Sequence, residues 1–445
     1  MIEHQKVLCG KCGYSDFEYD TYWKEYSCKN CGWMVENDEE ISSLNELHNS
    51  ELIRNRVIKQ NVLKLAEDSN DFALTLYEQL RHRSGNVFFS PFSIRTALGM
   101  TYAGARGETA AQMGRALGFS FSNDALHVAF KEIIQRLNTG GGGRYEMEVV
   151  NSLWGQDGMP LQTGFRDLVA RYYGGNMNLV DFRQGTEARM TINQWVENKT
   201  RQKIQEPIPV GYLGADTRLV LVNAVYFKGI WELQFDETAT CEKPFHLEGG
   251  ETVQVSLMYQ REKVRYMQAG GFQAVDLDYQ GGDLSMFVLL PNRNDGRGAL
   301  EKTISARMIH DCLTQMDVCE VKLFLPRFKI SWESDLRAPL TSLGMSLSFK
   351  HFQADFSGIN GHEPPHEESL FVSSVFHKAF VEVNEEGTEA AALTFIPVGD
   401  FCIPSHEPPP IPIFRADHPF LFAIRDRKSS TILFLGRMSD PTQED

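Results

Sequence analysis

Apolar positions recur at three- and four-residue steps from about Lys59. In VLKLAEDSNDFALTLYEQLRHR, Val62, Leu65, Phe72, Leu76 and Leu80 share one face, and the spacing predicts an amphipathic helix. The next stretch, SGNVFFSPFSIRTALGMTYAGARGETAAQM, opens with an apolar strand that meets Pro91, and a helix is expected from Ser93. Ala97, Met100, Thr101 and Gly104 lie along that helix, and its small side chains imply a buried element that neighbours approach closely. Later segments change period. LVLVNAVYFKGIW, FQAVDLDYQ, LSMFVLLPN, EVKLFLPRFKIS, SVFHKAFVEVNEEG and HPFLFAIRDRKSSTILFLGRM are rich in β-branched and aromatic residues and predict strands. Helices lead and strands dominate the second half, which points to an α+β domain on large, mostly antiparallel sheets.

At 445 residues and 42% apolar composition the chain can bury a sizeable core, in one large domain or two ordinary ones. The net charge of -15, with no lysine- or arginine-rich run, excludes a nucleic acid partner and an anionic membrane surface. The N-terminal MIEHQKVLCGKCGY lacks the apolar core of a signal peptide, no run of about 18 apolar residues follows, and a cytoplasmic address is expected. No catalytic constellation emerges: His310, His351, His362, His366, His377, His406 and His418 are scattered, and no nucleophile elbow or phosphate-binding loop is present. GGGGR at 140–144 lacks a strand-and-helix context and reads as a loop. The chain is therefore not expected to be an enzyme.

Four of the eight cysteines fall within the first 31 residues. Cys9 and Cys12 form one Cys-x-x-Cys pair, Cys28 and Cys31 a second, each followed by glycine. Two residues between thiolates let a tight turn aim both sulfurs at one tetrahedral ion, so residues 1–36 are expected to be a zinc ribbon with one structural zinc. The intervening YSDFEYDTYWKEY has the composition of a small hairpin, and a segment this short would take its folding energy from the metal. Its four lysines against nine acidic residues over 1–40 argue for a protein contact or a structural appendage. Residues 37–58 are polar and charged and read as a linker with one helical stretch, leaving 59–445 as the main domain.

NVFFSPFSIRTALGMTYAGARGETAAQM, LVNAVYFKGIW, PRFKIS, HKAFVEVNEEGTEAAA and FRADHPFLFAI resemble the serpin family in order and spacing, over about residues 60–441. The resemblance implies a serpin fold of three β-sheets and about nine helices, with an exposed reactive-centre loop at about 386–412. It also implies a mechanism in which a target protease cleaves the loop, forms an acyl-enzyme and is trapped as the cut loop inserts into the central sheet. The family's hinge falls on Glu385, Glu386, Gly387, Thr388, Glu389, Ala390, Ala391 and Ala392. Its polar cluster beneath the opening sheet falls on Ser90, Ser93, Asn223 and His377, and Trp231 falls where the loop first enters.

Insertion of a strand into a packed sheet tolerates little bulk. Every second residue, Thr388, Ala390, Ala392, Thr394, Ile396 and Val398, is small or β-branched and uncharged, while Glu389 carries the charge of the other face. Gly387 sits at the bend. Counting Glu385 as the first position, the family register puts the scissile bond after the seventeenth, between Phe401 and Cys402, with Asp400 and Ile403 as neighbouring candidates. A phenylalanine there suits an apolar primary pocket, so a monomeric inhibitor of a chymotrypsin-like serine protease is expected. A cysteine protease trapped by the same route, or a binding or chaperone protein that uses the fold without trapping, are the alternatives.

Overall fold

A computed structural model describes residues 17–20, 25–28, 38–121, 123–140, 144–175, 177–388 and 410–443. The chain divides into two compact units, 1–61 and 62–445. In the first, β1 (Phe17–Asp20) and β2 (Glu25–Cys28) form an antiparallel hairpin with Phe17 opposite Cys28, in the segment whose aromatic content predicts one. Helix α1 (Asp38–Leu80) covers the stretch read as a polar linker and continues through Leu80. Val62, Leu65, Phe72, Leu76 and Leu80 are all buried along its second half, as the helical spacing requires.

The second unit continues with β3 (Val87–Phe89), α2 (Pro91–Gly104), α3 (Gly107–Leu117), α4 (Asn123–Gly140), β4 (Tyr145–Gln156), α5 (Thr163–Tyr173), β5 (Met177–Val180), α6 (Gly185–Lys199) and β6 (Leu219–Ile230). Strands then dominate: β7 (Cys241–His246), β8 (Thr252–Gln268), β9 (Phe272–Asp278), β10 (Leu284–Pro291), β11 (Asp317–Pro326), β12 (Phe328–Asp335), β13 (Val372–Val383), β14 (Gly387–Thr388), β15 (Ile413–Arg415), β16 (Phe420–Asp426) and β17 (Ile432–Met438). Among them lie α7 (Arg297–Thr303), α8 (Ala306–Gln315), α9 (Arg337–Ser342) and α10 (Ser357–Asn360), so the described residues hold ten α-helices where about nine were implied.

One sheet has nine strands in the order β15-β11-β8-β9-β10-β16-β17-β3, with β7 also on β8. Strand β8, seventeen residues long, borders β7 and β11 along most of its length and β9 at its end, and this shared strand makes two of the three implied sheets continuous. The other sheet runs β12-β13-β6-β4-β5, with β14 on β6. Helix α2 packs against β17 of the first sheet and against β4 and β6 of the second. Its nearly all-round burial fits its apolar, small-residue sequence. The helix begins at Pro91 and not at Ser93: proline's fixed φ and missing N–H suit the first helical position, and Ser90 caps the turn through the Ser93 N–H. At Gly104 a Cβ would lie 2.2 Å from Ile359 Cγ1, so only glycine lets α10 approach. On the far face of the second sheet α6 sets Ile192 and Val196 in a core with Trp154, Val220, Val222 and Tyr226.

Candidate functional site

Strands β13 and β6 lie side by side and parallel, with register partners from Val372 and Leu219 to Phe380 and Tyr226. Both continue past the last pair, β13 to Val383 along β12 and β6 to Ile230. There the chain leaves β13, turns through Asn384–Gly387 and returns as β14, antiparallel to β6, with Gly387 opposite Ile230 and Thr388 opposite Gly229. The end of the β6–β13 seam thus already carries the first residues of an intervening strand.

The turn is held from three sides. Asn384 N–H donates to Gly387 O at 2.8 Å, and the Asn384 Oδ1 accepts the N–H groups of Glu386 and Gly387 at 3.2 Å. Gly387 has φ +148°, and a Cβ there would stand 2.1 Å from Gly229 O and 2.7 Å from Ile230 Cα. No L side chain fits. Trp231 donates its indole N–H to Asn384 O at 3.0 Å and its backbone N–H to Glu386 O at 2.9 Å, while its ring stacks on Tyr279 at 4.5 Å. Phe235 N–H and Gln234 Nε2 donate to the carbonyls of Glu385 and Glu386. Glu385 as a residue is 97% removed from solvent, and its carboxylate would be costly there unpaired. Arg327 meets both of its oxygens at 2.7 Å through Nε, and the Thr240 hydroxyl donates to it. Glu386 is more open; burial first, and Glu237 second, raise its carboxyl above the usual range.

Farther down the seam a second cluster locks the closed part. His377 of β13 is the register partner of Asn223 of β6, which is also the partner of Asn151 of β4, so three strands present one polar group each at one level. His377 Nε2 accepts the Ser90 N–H at 3.1 Å, which leaves the proton on Nδ1 to be donated to Asn223 Oδ1. The Asn223 amide in turn donates to Ser93 Oγ and Asn151 Oδ1, and Ser90 Oγ donates to Leu433 O at 2.6 Å. Burial alone holds the His377 pKa down at about 3, so the ring is neutral and the whole cluster is uncharged. Neutral hydrogen bonds that bridge two strands can be exchanged for others when the strands part, without stranding a buried charge.

Sequence reasoning singled out two groups that the structure assembles at two levels of one seam: Glu385, Glu386, Gly387 and Trp231 at its end, and Ser90, Ser93, Asn223 and His377 along it. Thr388 forms the last described pair of β14. Glu389, Ala390, Ala391, Ala392, Phe401 and Cys402 lie outside the described residues, as do Cys9, Cys12 and Cys31; Cys28 closes β2. Asn151, Asn384, Thr240, Tyr279 and Arg327 were not anticipated. For Asn151 a signal existed, because an asparagine within the apolar run MEVVNSLWG mirrors Asn223 within LVLVNAVYF. Beyond Thr388 the described chain resumes at Pro410 and enters β15, which lies parallel to β11 with Ile413 opposite Lys322.

Residues 67–441 match the family described as Serpin (serine protease inhibitor). Human leukocyte elastase inhibitor is 38% identical over 389 residues, covering 85% of this chain and 100% of that protein. Serpin B10 of Papio anubis is 37% identical over 406 residues, with 85% and 99% coverage. Among solved structures, human thyroxine-binding globulin superposes with a TM-score of 0.77 at 28% identity, over 86% of this chain and 100% of that one.

Proposed function

The chain belongs to the serpin family of protease inhibitors, and on that premise we propose that it acts as a suicide substrate. A serine protease cleaves the reactive loop after Phe401 and is held as an acyl-enzyme while the loop extends β14 down the seam between β6 and β13. The observation that carries this reading is the register of β14. Continued antiparallel from Gly387 opposite Ile230 and Thr388 opposite Gly229, it brings Ala390 to Phe227, Ala392 to Val225 and Thr394 to Asn223. These partners share the face of β6 that meets α2, and the small uncharged parity of the loop falls on it. Glu389 falls opposite Lys228, a partly exposed position of β6, and Leu393 and Phe395 fall opposite Ala224 and Val222, on the side of the α6 core. The alternation of the loop sequence thus supports a continuation of the register that β14 begins.

A relative named for inhibition of leukocyte elastase supports a serine protease as target, and Phe401 favours a chymotrypsin-like primary pocket. Incubation with a panel of such proteases, followed by a denaturing gel and mass measurement of the released C-terminal peptide, tests the proposal. It requires a covalent complex and a peptide that begins at Cys402. Clean cleavage without complex would instead favour a binding or chaperone protein, and thyroxine-binding globulin, solved as a complex with its ligand, has this fold. Complexes with cysteine proteases alone would move the target class. For the N-terminal unit we propose one zinc bound by Cys9, Cys12, Cys28 and Cys31. The β1–β2 hairpin, which ends at Cys28, supports that arrangement. The free thiols of Cys241, Cys312 and Cys319 support a reducing compartment such as the cytoplasm, in which we expect a monomer.

A further inference from the structure

We propose that His362, His366 and Glu368, in the loop between α10 and β13, form a binding site for a divalent first-row transition ion of the zinc type. One donor atom from each lies within 4.8 Å of the others. The His362 Nε2 and Glu368 carboxylate oxygen are 3.1 Å apart, and the two imidazoles stack at 4.4 Å between centroids. Donors about 2.1 Å from a tetrahedral ion stand roughly 3.4 Å from each other, so one pair is already at ligand spacing. The third comes into place by a side-chain rotation of His366, which is exposed and which exchanges one hydrogen bond for the ion.

The loop is built to hold these groups. Asn360, itself buried, accepts the His362 N–H through Oδ1 at 3.1 Å and donates to Glu368 O at 2.7 Å, so one side chain fixes the backbone of two ligands. Buried Ser369 donates both its N–H and its hydroxyl to His366 O, which fixes the third. His366 Nδ1 accepts the Glu368 N–H at 3.0 Å. Loading gives up that bond, because a neutral ring that lends one nitrogen to an ion keeps its proton on the other. Two imidazoles and one carboxylate suit zinc, nickel or copper, with water completing the shell, and do not suit magnesium or calcium, which take mostly oxygen ligands. None of these residues takes part in the seam or the loop-insertion reading, and the ribbon thiols lie in the other unit.

The full chain and its His362→Asn/His366→Asn variant, each equilibrated with micromolar free zinc, should differ by one bound ion per chain. With cobalt in place of zinc, the component lost should show weak visible bands and no sulfur-to-metal charge transfer, which separates it from any thiolate site. Glu368→Gln alone, which leaves both rings in place, should weaken binding at least about tenfold and decides the matter if the double variant does not fold. Equal metal content in the wild type and the double variant, charge transfer in the lost component, or unchanged affinity in Glu368→Gln would each overturn the assignment.

Discussion

Thr388→Arg should convert the inhibitor into a substrate. Thr388 pairs with Gly229, and a Cβ on Gly229 would meet Tyr279 at 2.7 Å and Phe227 at 2.8 Å, so this face of β6 looks into an aromatic core. In the intact protein an arginine at 388 can unpair the end of the two-residue β14 and stay in water, whereas insertion carries the guanidinium in beside Gly229, where it finds Phe227 and Tyr279, both buried, and an uncompensated charge costs several kcal/mol. If about 3 kcal/mol of that cost is felt in the transition state for insertion, the step slows roughly a hundredfold. The acyl-enzyme then has time to hydrolyse, and the number of inhibitor molecules consumed per protease trapped rises in proportion. Glu389→Arg serves as the control, because its register partner, Lys228, is on the partly exposed side and the arginine head can stay in water. The assay is titration of a chymotrypsin-like protease against each variant, with complex and cleaved inhibitor resolved on a denaturing gel. Equal complex yield in Thr388→Arg and the wild type, or a larger loss in Glu389→Arg, would refute the register on which the mechanism rests.

Acid should loosen the fold through its buried histidines. His377 is held near pKa 3 and His127 near 4 by burial, both below the unfolded value, so the unfolded chain takes up protons that the native one refuses. Stability is therefore full above about pH 6.5 and falls below it, by roughly 1.4 kcal/mol per pH unit for each histidine until its native pKa is reached. Urea midpoints at pH 7 and pH 5 should show the loss, and His377→Gln should show about half of it. Phe401→Arg should redirect trapping toward trypsin-like enzymes, whose primary pocket has an acidic floor; unchanged protease preference would place the scissile bond elsewhere. Deletion of residues 1–50 should remove one thiolate-bound zinc per chain and leave protease trapping intact, since the second unit has its own core. Loss of trapping in that chain would count against two independent modules.

What was legible in the sequence was what depends on local order. The helical spacing of Val62 to Leu80, the burial of Ala97 and Gly104, and the strand character of the six apolar runs quoted from Leu219 onward follow from side-chain periodicity and are met in the structure. The parity of Thr388 to Val398 is likewise a property of the chain alone, and beyond Thr388 it lies outside the described residues. Less legible was what depends on partners distant in sequence. EVKLFLPRFKIS reads as one strand, yet Arg327 separates β11 from β12 and turns back to meet Glu385, 58 residues away. The Asn384 turn, the stacking of Trp231 on Tyr279 and the approach of His362 to His366 likewise arise from tertiary placement, which periodicity does not encode.

The central claim is that the cut loop becomes a strand of the β12–β5 sheet, and the melting temperature of loop-cleaved protein against intact protein tests it most directly. Filling the seam from Thr388 to Val398 replaces the β6–β13 pairing with two ladders, a net gain on the order of ten backbone hydrogen bonds at roughly 1 kcal/mol each. Burial of Leu393, Phe395, Ile396 and Val398 adds roughly 2 kcal/mol apiece. With an unfolding entropy of about 2 cal/mol/K per residue over the large unit, the sum corresponds to a rise of roughly 20 °C. A cleaved protein that melts that far above the intact one is the predicted result, and one that melts at the intact temperature would contradict loop insertion.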